Sequence, residues 1–296
     1  MNDFLNEFRV YLSDIKKCSS NTLDAYIRDI SQFISYCKIN GTTDLKRVDN
    51  SFINKYLEYL DFLKKSPATK SRLIASVRCY FKFLIYNGVV ESNPAESIKL
   101  KKAETKMPGV LTSNDIMLLL SQPEGHDYKS IRDRAILELL YATGIKVSEL
   151  VTITINDINL QLGLLHLHSD IKHERIIPIY PDAVKHISDY IHNVRPAIIQ
   201  KETGDTLFTN MNGTSLSRQG LWKMIKHYAD SAGIKEDITP HTLRHSFAAH
   251  LLENGADLKD IKEMLGHSDI SSTQIYAHFI KNKYALSYSK FHPLAK

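Results

Sequence analysis

Cysteine is scarce in this chain. The three that occur, Cys18, Cys37 and Cys79, are odd in number, scattered, and without the close spacing of metal ligands. That argues against a disulfide framework and fits a reducing compartment. Long apolar runs are missing as well: no stretch approaches the roughly 18 residues that a membrane span requires, and the N-terminus lacks the basic-then-apolar layout of a secretion signal. A cytoplasmic protein with no membrane contact is expected. No GxxxxGK[ST] or GxGxxG loop is present, so neither a nucleotide-driven nor a nicotinamide reaction is suggested. There are no internal repeats and no low-complexity segments.

What is there is the composition of an ordinary globular protein, 43% hydrophobic and 24% charged over 296 residues. Such a length is better divided between two cores than packed into one. The net charge of +5 is unevenly placed: residues 1–110 carry 18 Lys and Arg against 12 Asp and Glu, and residues 111–296 carry 20 against 21. Within the first third, residues 62–90 hold six basic side chains and no acidic one. Four of these, Lys70, Arg72, Arg78 and Lys82, are interleaved with aromatics, a pattern suited to a polyanion such as DNA. A solvated helix face is the plainer reading of the same run.

Hydrophobic periodicity predicts four or five helices in the first hundred residues. Phe4, Leu5, Phe8 and Leu12 repeat at helical spacing, a second run follows Ser19-Ser20-Asn21, and a third spans 53–63. A fourth opens at Ser66-Pro67, with Ser as cap and Pro in the first helical position, and closes near Asn87-Gly88. In it Leu73, Val77, Phe81 and Leu84 make a core stripe, while Arg78 and Lys82 stand four apart on another face. The pattern lapses over 101–110, which reads as a linker. Helices resume at Ser113 and over 128–141, ending at Gly144. Between 151 and 180 the pattern turns to strands, at 164–168 and 175–179. His166 and His168 point to one strand face near Asp170 and His173, but no Cys or HExxH helix supports a metal there.

The chemistry gathers near the C-terminus. Pro240-His241-Thr242-Leu243-Arg244-His245 is followed by Leu265-Gly266-His267-Ser268-Asp269 and then by Thr273-Gln274-Ile275-Tyr276. Thr239-Pro240 starts a helix on which His241, Arg244 and His245 share one face, with Leu243, Phe247 and Leu251 on another. Gly255 should end that helix and Gly266 the next, leaving His267 on a loop and Tyr276 on the helix after it. Arginine grips phosphate oxygens through paired N–H groups, histidines exchange protons near neutral pH, and a tyrosine phenolate is a nucleophile. A zinc site at His241 and His245 is disfavoured by Arg244, which would repel a cation.

Further motifs lie upstream: Arg132-Asp133-Arg134-Ala135-Ile136-Leu137, then Tyr141-Ala142-Thr143-Gly144-Ile145-Lys146-Val147-Ser148-Glu149-Leu150, and Glu174-Arg175-Ile176-Ile177-Pro178. With Asn254-Gly255-Ala256-Asp257-Leu258 and the C-terminal set, these resemble the tyrosine site-specific recombinases of the phage-integrase family, most of all the bacterial Xer-type enzymes. The resemblance covers nearly the whole chain. It implies a mainly α, two-domain fold. An N-terminal SAM-like helical bundle (1–100) would bind the DNA core site, and a linker (101–110) would lead to an α+β catalytic domain (111–296). The latter would have a small antiparallel sheet and a C-terminal docking tail, and the two domains would close on duplex DNA as a C-shaped clamp. By the same resemblance, Tyr276 attacks the scissile phosphate to give a 3′-phosphotyrosyl link and a free 5′-hydroxyl. Arg244 and a second arginine neutralise the nonbridging oxygens, His241 takes part in acid–base transfer, and His267 hydrogen-bonds the phosphate. A hairpin lysine protonates the leaving oxygen. No metal, ATP or other cofactor is implied. The implied partners are double-stranded DNA and a homo-tetramer on two DNA sites, or a hetero-tetramer with a paralogous recombinase.

Two of the six expected positions differ. Lys146 occupies the slot of the first catalytic arginine; it keeps the charge and loses the planar fork, a change that typically costs about 10²–10³ in rate. Asp170 stands where the hairpin lysine belongs, and Lys172, two residues on and so on the same strand face, is the candidate general acid. A double departure favours a naturally weakened enzyme over a single substitution made to trap a complex. The competing class is a non-catalytic DNA-binding or partner-regulating protein on the same fold; a relaxing, topoisomerase-like activity is a third reading. Chromosome dimer resolution, DNA integration and inversion all use this scaffold.

Overall fold

The computed structural model describes residues 3–100, 109–168, 174–200, 204–267, 269–270, 272–274 and 276. The chain divides into two compact units, Met1–Thr105 and Lys106–Lys296. Most of the expected linker, Asp170, Lys172, His173 and the tail from 277 lie outside the described residues.

The first unit is built from α1 (Asp3–Val10), α2 (Ser20–Ile39), α3 (Asn50–Phe62) and α4 (Pro67–Tyr86). Three of these open on a side-chain cap: Ser19 accepts the Thr22 N–H, Asp49 that of Phe52, and Ser66 that of Thr69. Each cap satisfies an N–H that the first turn leaves without a partner. The expected stripe of Leu73, Val77, Phe81 and Leu84 is buried. It packs into an aromatic core in which Phe33 meets Tyr56 edge-on at 5.1 Å and Phe8 meets Tyr80 at the same distance. The sequence pattern misses two short turns, the π-helical one at Tyr11–Ile15 that extends α1 and a 3-10 turn at Leu45–Arg47.

The second unit winds around α6 (Tyr128–Thr143), which follows α5 (Ser113–Ser121). Ala135, Ile136, Leu137, Leu139 and Leu140 are all buried, and so are the charged Arg132, Asp133 and Glu138, so α6 is enclosed on nearly every side. A short α7 (Val147–Leu150) precedes the stretch expected to be strands, and a 3-10 turn at Ile155–Asp157 lies near its start. The sheet itself is antiparallel, in the order β1 (Ile158–Asn159), β2 (Leu164–Leu167), β3 (Arg175–Pro178). Leu165 stands opposite both Ile158 and Ile177, and this apolar row is buried. Helices α8 (Pro181–Asp189), α9 (Arg195–Ile198), α10 (Arg218–Ser231), α11 (Pro240–Glu253) and α12 (Leu258–Leu265) follow. His168 is exposed and sits beside Asp157 and Glu174. Among the described residues no group of three or more His, Cys, Asp or Glu is placed to hold a metal, and no helix is long and apolar enough to cross a membrane.

Candidate active site

Two helix ends frame the motif residues. Helix α6 stops at Gly144, whose φ of +58° is left-handed. Helix α12 stops at Gly266, φ +63°, where the Gly266 N–H bonds the Glu263 carbonyl at 3.0 Å and the His267 N–H bonds that of Lys262 at 3.1 Å. This is a Schellman cap, and it fixes His267 one residue beyond the left-handed glycine. Space, as well as φ, demands glycine at both ends. A Cβ at 144 would lie 2.4 Å from Phe247 Cδ1, and one at 266 would lie 2.8 Å from Arg175 Nη1.

Arg244 ties the two ends together. It projects from α11 and is 5% exposed; Nη1 donates to the Gly144 carbonyl at 2.5 Å and Nη2 to that of Leu265 at 2.6 Å. A cation is well placed there, since both helix C-termini carry partial negative charge. Arg175, on β3, holds the same end of α12 from another side. Its Nε donates to the Met264 carbonyl at 2.8 Å and its Nη2 to Glu149 Oε2 at 2.8 Å. Glu149 also accepts the Lys146 N–H at 2.7 Å. Although burial opposes it, hydrogen bonds from Arg175 and Lys146 hold this carboxyl below its ordinary value.

Tyr276 is 1% exposed and packs against Phe247, Ala248, Leu252, Ile261 and Leu265. Its hydroxyl lies 2.8 Å from His245 Nδ1. Burial raises its pKa and Arg244 lowers it. Burial, then His241 and Arg244, push the His245 imidazole down to about 4. His267 is also pushed to about 4, by burial and then by Arg244, Lys146, His245 and Arg175, and its Nδ1 lies 3.0 Å from the hydroxyl of buried Thr273. The exposed ring of His241 is 6.4 Å from that of His245. Both half-buried imidazoles are neutral at pH 7, because cations surround them in a partly dry setting.

The structure thus gathers Arg244, His241, His267, Tyr276 and the exposed Lys146 into one cluster, whereas Lys172 is outside the described residues. The sequence reading assigned no role to Glu149 or Arg175, although both stand inside quoted motifs. It also named His245 without a task.

The four basic residues of α4 fare differently. Arg72 Nη1 reaches both carboxylate oxygens of Asp29, at 2.6 and 2.5 Å; Asp29 is 4% exposed and also accepts from Ser76. Arg78 donates through Nε to the Ala95 carbonyl at 2.8 Å and through Nη2 to that of Ile98. Lys70 pairs with Asp61 at 2.5 Å and Lys82 with Glu96 at 3.5 Å. The run is one-signed along the chain and not in space, because Asp29, Asp61 and Glu96 fold back onto it. Arg78 thus braces the segment after α4, and Arg72, though its side chain is exposed, is held by the buried Asp29, so neither stands as the free basic face expected of them.

Comparison with known proteins bears on the family and the fold. The phage integrase family matches residues 109–283, and the N-terminal SAM-like domain of phage integrases matches residues 5–88. The chain is 39% identical over 295 residues to the tyrosine recombinase XerD of Staphylococcus epidermidis, covering 100% of both proteins. It is 40% identical over 296 residues to the tyrosine recombinase XerD of Halalkalibacterium halodurans, covering 100% of this chain and 99% of that protein. It is similar in fold to the XerH site-specific recombinase bound to palindromic difH substrate in a post-cleavage complex. There the TM-score is 0.76 at 22% identity, covering 90% of this chain and 79% of that one.

Proposed function

Because the chain belongs to the phage integrase family and is a site-specific tyrosine recombinase of the Xer type, a DNA breaking-and-rejoining enzyme, we propose that Tyr276 is its nucleophile and forms a 3′-phosphotyrosyl link. The observation that carries this reading is the convergence of Tyr276, His245, Arg244 and His267 at the joined ends of α6 and α12. Arg244 receives the nonbridging oxygens: its two hydrogen bonds to carbonyls use two of the guanidinium's five N–H groups. Lys146 adds charge from the N-terminus of α7, and His241 and His267 face the same phosphate. Lys172 is the acid for the leaving 5′-oxygen. With two of its arginine-type contacts reduced to one, the enzyme is slow.

The partner is double-stranded DNA, bound within a tetramer on two sites, either of this chain alone or with a paralogue, in the cytoplasm. The first unit serves as the DNA-binding domain. Lys70 and Lys82 exchange their surface carboxylates for phosphates, and affinity falls as salt rises. The second unit is the catalytic domain, and its tail docks on a neighbouring subunit.

Nicked duplexes carrying candidate palindromic core sites, resolved on denaturing gels, test the reading. A covalent adduct is expected with the parent chain and not with Tyr276→Phe, and Lys146→Arg should form it about 10²–10³ times faster. Tight DNA binding with no adduct from parent or Lys146→Arg would instead favour a non-catalytic protein.

A further inference from the structure

None of the roles set out above uses the imidazole of His245, yet it is the side chain that touches the nucleophile. Its Nδ1 lies 2.8 Å from the Tyr276 hydroxyl, and the two rings sit 5.7 Å apart between centroids. With Tyr276 almost wholly buried, the phenolic proton needs an acceptor within the protein. Arg244 has no acceptor atom, His267 Nδ1 is turned to Thr273, and His245 is the imidazole with a described hydrogen bond to the Tyr276 hydroxyl. His245 also follows Arg244 directly on α11, so base and phosphate grip ride on one rigid turn.

Resting on the assignment of Tyr276 as nucleophile, we infer that His245 is the base of the cleavage step. As the bond from Tyr276 Oη to phosphorus forms, the phenolic proton passes to His245 Nδ1. The bond from phosphorus to the 5′-oxygen breaks, and that oxygen takes a proton from the acid, assigned above to Lys172. In rejoining, the attacking 5′-hydroxyl returns its proton to the acid, and the imidazolium returns its proton to the departing phenolate. No proton is gained or lost over the cycle.

The surroundings make this transfer conditional. The groups facing the imidazole are His241 and Arg244 from its own helix, with Tyr276 and His267 from beyond it. With these neighbours the imidazole sits at about 4 and the phenol above its ordinary value, so the proton stays on Tyr276. A phosphodiester held by Arg244 and His241 brings a negative charge that offsets the Arg244 cation. That raises the imidazole toward the range of an effective base. The base is idle until DNA arrives, and the protein carries no phenolate in the meantime.

Two measurements test the inference on the full chain. The first is the ¹⁵N spectrum of ring-labelled histidine. His245 Nδ1 should be a pyridine-type acceptor whose signal moves on Tyr276→Phe; a pyrrole-type Nδ1, or a signal indifferent to Tyr276→Phe, overturns the inference without reference to cleavage. The second is single-turnover cleavage of nicked duplexes with either oxygen or bridging sulfur at the scissile 5′ position, sulfur needing no acid. His245→Asn retains a hydrogen-bonding atom near Nδ1 and cannot take the proton. It should cleave both substrates about 10²–10⁴ times more slowly than the parent at unchanged DNA affinity. Cleavage within about threefold of the parent overturns the inference, as does rescue by sulfur, which would move His245 to the leaving group. If neither the parent nor Lys146→Arg forms an adduct, the proposed cleavage falls and its base with it. That outcome is distinct from parent and His245→Asn cleaving alike.

Discussion

Arg78 in the first unit and Arg244 in the second do the same thing with a guanidinium: each reaches two backbone carbonyls, Ala95 and Ile98 for one and Gly144 and Leu265 for the other. The difference lies in what surrounds the grip. Arg78 is answered by its own segment, where Asn93 donates back to the Arg78 carbonyl. Arg244 lies between two helix ends with Tyr276, His245 and His267 around it. A second contrast concerns charge. Arg72 and Arg175 are paired with the carboxylates of Asp29 and Glu149, whereas Arg244 is held by neutral dipoles alone in its described hydrogen bonds. Carbonyls orient a cation without neutralising it. A paired arginine is a brace, and a dipole-held one beside proton-transfer groups keeps its field for an anion.

Replacing each arginine breaks the comparison most sharply. Arg244→Ala should lower single-turnover cleavage by at least about 10³. It should also destabilise the second unit, since two buried carbonyls lose their donor at about 1–3 kcal/mol each. Arg78→Ala should show only the loss of stability, with cleavage unchanged at saturating DNA. Adduct gels together with urea denaturation separate the two.

The glycines come next. Gly144→Ala and Gly266→Ala should each destabilise by more than Gly41→Ala. All three have positive φ, but nothing lies within 4 Å of a Cβ at Gly41, leaving there only the left-handed cost of roughly 1–2 kcal/mol. Equal melting-temperature losses at the three sites would mean that Phe247 and Arg175 yield freely.

Acid should affect the second unit more than the first. Unfolded, His245 and His267 take up protons below about 6.5; folded, both stay neutral down to about 4. Protonation therefore favours the unfolded chain. Their contribution is complete above pH 6.5, falls as pH drops from there to about 4, and is exhausted below. The urea midpoint should fall over that window and flatten in the double variant His245→Gln/His267→Gln. A duplex bound at the site should narrow the window by raising both imidazoles.

The smallest effect is expected in the aromatic core. The hydroxyls of Tyr56 and Tyr80 are buried with no hydrogen-bond partner among the described residues, an arrangement that costs stability. Tyr56→Phe or Tyr80→Phe should leave the unfolding free energy unchanged or raise it, by about 1 kcal/mol at most. A clear loss would show that these hydroxyls have partners after all.

Local chemistry was legible in the sequence. Ser66-Pro67, Thr239-Pro240, Gly144 and Gly266 each mark a helix boundary through caps that span only a few residues, and all four stand where expected. The family was legible because the order of its motifs along the chain matches a known one, and the candidate site residues were proposed from those motifs. What the chain did not disclose are interactions between distant positions. Asp29 and Arg72 are 43 residues apart, and Gly144 and Arg244 are 100 apart. Counting charges along residues 62–90 could not anticipate the first, and no spacing rule links the second. Likewise β1, with two residues, is too short for an alternating pattern to register.

Lys146 joins α7 through its main chain. Its N–H bonds Glu149, and its carbonyl accepts from Glu149 at 3.0 Å and Leu150 at 2.9 Å, while the side chain stays exposed. These main-chain bonds do not depend on which side chain the position carries, although the Lys146 charge itself acts on Glu149 and His267. An arginine at 146 would present its fork from this same main chain, so comparing Lys146→Arg with the parent reads the side chain and not a change in the start of α7.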